Sequence, residues 1–395
     1  MASAAQRRIK SISYAKYGYI FILPFFVIYF FFQLWPLINT FKLSFYGNDT
    51  ETSKYVGFDN YNKIVFDTSY NEEIVLADNP FELETLVEDK NGNLTPFYEL
   101  PEDEQVAIID KENKKHGYHV QHRDFVQSLK NTLILWIGNF IPQIILSLSL
   151  AVWFTDAKLK IPGKGFFKVV MYMPNIITAA SVAVLFLSLC SESKYGAVNQ
   201  ILHSMGIVKD IESTNSDDFV KFVHGVWEPR FVVMFIQTWL WFGNTMIMLM
   251  SGIMGINPSL FEAASIDGAS SGQVFRKITL PLLSPIMVYT LVTSMIGGLQ
   301  MFDIPFMYHT GSAVNKNLRT VAVYIYENFK NKPSEDYLYG YSGAASVILF
   351  IITAALGSIT FYLNRDVDAI AKKKQRKKLE KQAKMQSKQF GGLSI

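Results

Sequence analysis

Six blocks of mostly apolar residues divide the chain, and polar segments of very different lengths separate them. The blocks cover residues 17–37, 127–154, 167–190, 231–254, 281–303 and 342–363. Each block is about 20 residues long or longer, which is the length that a helix needs to cross the hydrocarbon layer of a bilayer. Because lipid offers no partners to backbone N–H and C=O groups, each block is predicted to be a helix. The pattern predicts an all-α membrane protein with six transmembrane helices.

Charged residues are distributed unequally among the segments that join these blocks. Basic residues concentrate in the N-terminal tail 1–16, in the segment 155–166 and in the C-terminal tail 364–395. The long segment 38–126 is instead rich in acidic residues. Loops rich in Lys and Arg tend to stay in the cytoplasm. We therefore expect a plasma-membrane protein whose two tails and whose segment 256–280 are cytoplasmic, and the net charge of +3 is too small to indicate a nucleic-acid partner.

The extracellular segment contains an insert at about residues 70–122. Its apolar residues lie on both sides of a turn-like sequence at 89–93, which favours a small folded cap over disorder. The cap either contacts a partner protein or is an inert spacer, and the sequence leaves both open. Three histidines, His116, His119 and His122, lie near its end. Neither cysteine nor an organised carboxylate motif accompanies them, so no metal site is predicted.

Ionisable side chains are missing from the middle of all six blocks. Transporters that are driven by an ion gradient usually bury such side chains to carry the coupling charge. The chain also lacks a P-loop, because Gly163-Lys164-Gly165 has neither the glycine spacing nor the Ser or Thr that follows the lysine. The sequence therefore predicts a chain that is not an enzyme and that depends on another protein for its energy.

The segment 256–280 has the signals of two short helices joined by a turn. Asn257 followed by Pro258 is typical of a helix start. Gly268 can adopt the left-handed conformation that ends a helix, and Ser270 or Ser271 can cap the next one. The sequence predicts a helical hairpin near the membrane surface.

The side chains of this hairpin suit a protein partner. Ala263 and Ala264 are small enough for another surface to approach the backbone, and Glu262 and Asp267 can pair with basic groups. An amphipathic loop helix that rests on lipid is the alternative.

The same hairpin resembles the EAA loop of the permeases of binding-protein-dependent ABC importers. The matching positions are Glu262-Ala263-Ala264, Gly268, Ile278 and Leu280-Pro281. The fuller stretch EAASIDGASSGQVFRKITLPLLSP is similar to the maltose-transporter-like, carbohydrate-importing branch of that family. Three other stretches are similar to the same family, namely VGFDNYNKIV, YGAVNQILHSMGI and MFDIPFMYHTGSAVNKNLRTVAVYIYENF. The resemblance covers about residues 17–363, and the chain departs from it at Thr310-Gly311-Ser312-Ala313, where relatives tend to have Thr-x-Gly-Gly-Pro.

This resemblance implies a fold, a function and a set of partners. The fold is that of type I ABC importer permeases, with the permease core at 127–363 and the extracellular insert between helices 1 and 2. The function is that of a permease subunit in an ATP-driven importer of sugars, with oligosaccharides favoured, which forms half of the translocation pathway by alternating access. A stand-alone secondary sugar transporter and a membrane scaffold are the alternatives.

The implied partners would meet the chain at separate places. A dimer of cytoplasmic ATPase subunits, which would hold ATP and Mg²⁺, would receive the hairpin, and no cofactor is expected in this chain. A second homologous permease and an extracellular solute-binding protein would complete the assembly in the bilayer. The implied coupling residues are Glu262, Ala263, Ala264, Asp267 and Gly268.

Two helical faces carry uncharged polar and aromatic residues that suit a sugar. The residues are Gln237, Trp241 and Asn244 in the fourth block, and Ser294, Gly298 and Met301 in the fifth. Spacings of four and three place each trio on one face of a helix. Amides and hydroxyls can bind sugar hydroxyls, and the resemblance implies that these faces line the substrate cavity. Packing and hydrogen bonding between helices is the alternative role for the same residues.

Overall fold

The structure is a computed structural model, and it describes most of the chain as helices. The described residues are 4–47, 54–66, 86–88, 94–156, 159–208, 218–310, 314–330 and 339–363. The chain forms two compact units. Unit one comprises Met1–Thr132 and His309–Phe350, and unit two comprises Leu133–Tyr308 and Ile351–Ile395.

Helices of very different lengths follow one another along the chain. They are α1 (Ala4–Tyr29), α2 (Trp35–Leu43), α3 (Asp59–Val65), α4 (Glu102–Thr155), α5 (Lys164–Tyr172), α6 (Ala179–Leu189), α7 (Ala197–Ser204), α8 (Glu228–Met254), α9 (Pro258–Ile266), α10 (Ser271–Val274), α11 (Leu280–Leu299), α12 (Asp303–Met307), α13 (Val321–Lys330) and α14 (Tyr339–Leu363). Short π-helical turns at Phe30–Leu34 and Phe275–Thr279 join α1 to α2 and α10 to α11. Two strands, β1 (Leu86–Glu88) and β2 (Leu94–Pro96), pair antiparallel with Val87 opposite Thr95.

The predicted membrane spans are present, with one important difference. Among the described residues, five helices are long and apolar enough to cross a membrane, and a bent pair makes a sixth candidate. The bent pair joins 164–176 to 179–189 at an angle of 93°, so the prediction of one continuous helix over 167–190 is wrong. Pro174 cannot donate a backbone hydrogen bond, and the Thr178 side chain accepts one from the Ser181 N–H to start a new helix.

The described part of the insert has regular secondary structure. Its described part is the β1–β2 hairpin, followed by the first turns of α4, which begins at Glu102 rather than at residue 127. This helix has 54 residues and is about 80 Å long, far more than the bilayer requires. Residues 67–85 and 89–93 of the segment, residues 311–313 and the C-terminal tail 364–395 lie outside the described residues. The basic N-terminal segment continues into α1 rather than ending before the first span.

Unit one is built around the N-terminal half of α4 together with α13 and the first part of α14. Its apolar cluster contains Ile64, Phe125, Val321, Tyr324, Tyr341, Ala344 and Ala345. At the edge of the cluster, Asn131 donates hydrogen bonds to the carbonyls of Lys316 and Arg319 at 2.7 and 3.1 Å. Arg319 also forms ion pairs with Asp124, at 2.6 Å, and with Glu327. These polar contacts fix the chain that precedes α13.

Unit two packs α8 against α4, α5 and α11. The apolar cluster contains Leu150, Ala151, Phe154, Met246, Leu249, Met250, Ile253 and Leu283. Polar contacts join α8 to α4, because Gln143 donates to the hydroxyl of Thr245 at 2.7 Å and Ser147 donates to the carbonyl of Phe242 at 2.8 Å. Gly243 allows the carbonyl of Met171 to approach α8 closely. This unit contains both the hairpin and the two predicted sugar-facing helices.

Candidate functional site

The predicted helical hairpin is confirmed, and local capping explains its shape. The Asn257 side chain accepts a hydrogen bond from the Ser259 N–H at 3.1 Å, and Pro258 occupies the first position of α9. Gly268 ends the helix with φ of +70°, a conformation that costs a residue with a side chain about 1–2 kcal/mol. Ser270 and Gln273 then form a reciprocal capping box at the start of α10.

The hairpin exposes most of the residues that were predicted to couple it to a partner. Glu262, Ala263, Asp267 and Gly268 are exposed, whereas Ala264 is buried. Ile266 was missed by sequence reasoning, although 86% of its surface is exposed between two carboxylates. An apolar residue in a short polar loop was the available signal. The hairpin therefore exposes one apolar side chain, Ile266, with the carboxylates of Glu262 and Asp267 near it.

The second arm of the hairpin is continuous with a membrane-spanning helix. The π-helical turn Phe275–Thr279 carries α10 directly into α11, and the helical run extends from Ser271 to Leu299. Pro281 lies within this continuous run, two residues after the π-helical turn, and cannot donate a backbone hydrogen bond there. No loop separates α10 from α11 among the described residues.

On α8, the structure divides the predicted sugar-facing trio. Gln237 is 9% exposed and therefore buried among the helices of unit two. Trp241 is 48% exposed, and Asn244 is also exposed. Two of the three predicted residues are thus exposed on the surface of this chain.

On α11, the structure places the predicted trio against other parts of unit two. The Ser294 hydroxyl accepts a hydrogen bond from the Trp136 indole N–H at 3.2 Å. A Cβ atom at Gly298 would lie 2.5 Å from Cγ of the same indole, and Met301 is buried. Gly298 therefore makes room for Trp136, and both Ser294 and Gly298 contact a neighbouring helix, while their predicted substrate role stays a prediction. The contact of Trp136 with α11 was missed, because the position of a tryptophan in an apolar block does not indicate which helix it packs against.

A carboxylate organises the polar segment that precedes α8. Glu192 accepts hydrogen bonds from the N–H groups of Val223 and His224 at 2.6 and 2.8 Å, and its other oxygen contacts Nδ1 of His224 at 2.7 Å. Burial raises the pKa of the Glu192 carboxyl, but these donors outweigh burial and hold the pKa below its usual value. The buried Tyr308 hydroxyl donates to the carbonyl of Phe222 at 3.3 Å. Together these contacts attach residues 222–224 to the ends of α6 and α12.

Comparison with known proteins identifies the family of this arrangement. Residues 131–369 match the family described as the inner membrane component of binding-protein-dependent transport systems. The lactose transport system permease protein LacF of Rhizobium radiobacter is 31% identical over 245 residues, which cover 61% of this chain and 76% of that protein. The arabinooligosaccharides transport system permease protein AraP of Halalkalibacterium halodurans is 25% identical over 240 residues, which cover 60% and 71%.

A solved structure shows the same fold. A bacterial ABC transporter involved in the import of the acidic polysaccharide alginate contains a chain that matches with a TM-score of 0.65 at 19% identity. The match covers 91% of this chain and 99% of that chain. With five candidate spans among the described residues, or six if the bent pair is one span, the EAA-type hairpin and a family match over more than half of its length, this chain belongs to the family of binding-protein-dependent inner-membrane transport components and has the fold of an ABC importer permease.

Proposed function

We propose that this chain is one permease subunit of an ATP-driven importer of sugars, with oligosaccharides as its cargo. The observation that carries the proposal is the capped, exposed hairpin of α9 and α10, placed between two spanning helices in a family of binding-protein-dependent transport components. The relatives support the cargo, since their names refer to lactose and arabinooligosaccharides. A related alginate transporter was solved with a periplasmic protein that holds an alginate pentasaccharide.

The hairpin is proposed to dock into a dimer of cytoplasmic ATPase subunits. Glu262 and Asp267 would pair with basic side chains, and Ile266 would fill an apolar pocket between them. Closure of the ATPase dimer around ATP and Mg²⁺ would displace the hairpin and, through its continuous second arm, α11. The passage would then open alternately to each side of the membrane, without nucleotide or metal chemistry in this chain.

Two further partners complete the proposed assembly. A second homologous permease would supply the other half of the passage, because Trp241 and Asn244 lie on the surface of this chain. A solute-binding protein would deliver the cargo to the face that carries the insert and the first turns of α4. Both tails are proposed to be cytoplasmic, since the basic residues concentrate there.

The test is to purify the assembled transporter in lipid vesicles and to measure ATP hydrolysis and oligosaccharide uptake together. Glu262→Gln and Gly268→Ala should each weaken the contact between the hairpin and the ATPase subunits, so that uptake falls about tenfold while ATP hydrolysis continues. A tenfold change corresponds to about 1.4 kcal/mol of lost interaction free energy. Asp59→Asn, which removes an exposed carboxylate from α3, is the matched control and should transport normally. Uptake at full rate in both hairpin variants, or uptake by the lone chain along a proton or sodium gradient, would show that the proposal is wrong.

A further inference from the structure

The short helix α7 and its last turn carry apolar and polar residues on opposite sides. Successive side chains of a helix are about 100° apart around its axis. At this angle one side of α7 is apolar, and its members are Val198, Ile201, Leu202 and Met205. The other side is polar, and its members are Asn199, Gln200, His203 and Ser204. In a water-soluble protein, such a helix packs its apolar side against the core.

The burial of these side chains is the reverse of that expectation. Asn199 is completely buried, and its amide donates to the carbonyl of Ser191 at 3.0 Å and accepts from the N–H of Val220 at 3.1 Å. Ile201 and Met205 are instead 59% and 68% exposed. The protein therefore holds α7 by a polar side chain and leaves much of its apolar side uncovered.

The end of α7 adds a third exposed apolar residue. The chain reverses at Gly206, whose φ is +77°, and the N–H of Ile207 donates to the carbonyl of Leu202 at 2.9 Å. This bond is the one that closes a Schellman turn at the end of a helix. Ile207 itself is 57% exposed. We call Ile201, Met205 and Ile207 the apolar patch.

Hydrogen bonds place α7 at the level where the neighbouring helices end and begin. Ser191, which accepts from Asn199, lies two residues beyond the end of α6. The next residue, Glu192, accepts from the N–H of His224, four residues before α8 begins at Glu228. Because α8 is a candidate span and the hairpin follows its other end, α7 lies at the membrane surface opposite to the hairpin.

Exposed aromatic residues lie at the same level. Tyr195 immediately precedes α7, and Trp227 immediately precedes α8. Tyrosine and tryptophan are enriched where the hydrocarbon layer of a membrane meets water. The first two turns of α8 then expose Phe231 and Phe235, which continue the exposed apolar surface into the span. The uncovered side of α7 is therefore at the edge of a surface that lipid already covers.

We propose that the apolar patch inserts into the phospholipid layer, so that α7 lies along the boundary between headgroups and acyl chains. An amphipathic helix in this boundary buries its apolar side among acyl chains and keeps its polar side away from them. The hydrogen bonds of Asn199 then connect the inserted helix to the segments that lead from α6 and into α8. The insertion depends neither on the cargo nor on the energy source of the transporter.

The experiment measures how deeply the side chains of α7 lie in the membrane of the assembled transporter. Cys190, the single cysteine of the chain, is replaced by alanine, and single cysteines are introduced by Ile201→Cys, Met205→Cys and Ile207→Cys. Each carries a nitroxide spin label, and the complex is placed in vesicles of phosphatidylcholine and phosphatidylglycerol. Paramagnetic resonance then gives the collision rates of the label with oxygen, which concentrates in lipid, and with a nickel chelate, which stays in water. The signal of the complex that carries only Cys190→Ala is subtracted.

Gln200→Cys and Ser204→Cys are the matched controls, because both positions are exposed on the polar side of the same helix. The ratio of oxygen to nickel collisions should be at least about threefold higher in the apolar patch than at the controls. Equal ratios at all five positions would place the apolar patch in water and overturn the proposal. Low collision rates with both reagents would place it beneath another protein chain and would overturn the proposal as well.

A labelled complex is compared only when its yield and melting temperature match those of the Cys190→Ala complex. The three positions of the apolar patch report independently, so a label that prevents assembly at one of them leaves two measurements. The collision rates need no transport. A transporter that imports no sugar would therefore contradict the proposed function and leave the insertion of α7 standing, whereas equal ratios in a transporter that imports sugar would contradict the insertion alone.

Discussion

Replacing Gly243 with alanine should force the third span away from α8. Gly243 is buried in unit two, where the backbone of α5 crosses it. A Cβ atom at this position would lie 2.7 Å from the carbonyl carbon of Met171 and 2.9 Å from Cα of Tyr172. Carbon atoms normally approach to about 3.5–4.0 Å, so the two helices must separate by about 1 Å. No side-chain rotation relieves this overlap, because the opposing atoms belong to the backbone.

Two terms of opposite sign determine the size of the effect. Alanine in a helix interior is favoured over glycine by about 1 kcal/mol. Overpacking typically costs about 1–3 kcal/mol, and a clash with backbone belongs at the upper end of that range. We therefore expect Gly243→Ala to lower the free energy of unfolding by about 2 kcal/mol. At Gly297 an added methyl group meets no atom within 4 Å, so only the preference of a helix for alanine over glycine remains. Gly297→Ala should therefore stabilise the protein by up to about 1 kcal/mol.

The assay is thermal unfolding of the purified transporter, followed by tryptophan fluorescence. A change of 1 kcal/mol corresponds to about 2–4 °C in a domain of 150–250 residues, so Gly243→Ala should lower the melting temperature by about 5 °C. Gly252→Ala should fall between the two other variants, because its added methyl group meets only the flexible tips of Ile286 and Leu283. A Gly243→Ala variant that melts at or above the wild-type temperature would refute the close approach of α5 to α8.

Three further changes test other contacts. Arg319→Leu should cost about 2 kcal/mol and lower the melting temperature, since it leaves the partly buried Asp124 and Glu327 without the cation that lies between them; an unchanged melting temperature would contradict these ion pairs. The lowered pKa of Glu192 stabilises the folded state at neutral pH, and this contribution is lost as the pH falls below the ordinary carboxyl value of about 4.3. Below this pH, the melting temperature of the wild type should therefore fall more steeply than that of Glu192→Gln. If the two melting temperatures change in parallel with pH, Glu192 does not stabilise the folded state in this way. Under the proposed docking, Ile266→Ser should weaken the Kd for the ATPase subunits about tenfold in a titration, and an unchanged Kd would remove Ile266 from the interface.

The features that the sequence predicts well are those set by local chemistry or by the bilayer. The spans follow from the thickness of the hydrocarbon layer, and the hairpin follows from Asn257, Gly268 and Ser270, whose capping roles need no distant partner. The extension of α4 before residue 127 was missed, because a polar helix outside the membrane has no long apolar block. The break at Pro174 was missed although its signal was present, since a proline within an apolar block is compatible with either a kink or an end.

The register of α11 could not be predicted, because it depends on which helix lies next to it. Ser294, Gly298 and Met301 form a face with the same spacing and similar chemistry as Thr293, Gly297 and Gln300. Periodicity identifies both faces, and only the position of the Trp136 ring distinguishes them. A side chain on another helix thus decides which of two equivalent faces remains open.

The packing of α8 and α11 also links the hairpin to the proposed passage. The two helices are in contact near the hairpin, where Gly252 meets Ile286 and Leu283. They leave Asn244 and Thr293 exposed farther along. When one of two helices rotates about a contact at one end, the distance between the helices changes most at the opposite end. Because α10 continues directly into α11, a small rotation of the hairpin would be amplified at Asn244 and Thr293, which lie about 10–12 Å along their helices from the contact. Close packing at Gly252 is therefore as necessary to the proposed coupling as the exposed residues of the hairpin, and its loss would disconnect the hairpin from the passage even with the ATPase subunits bound.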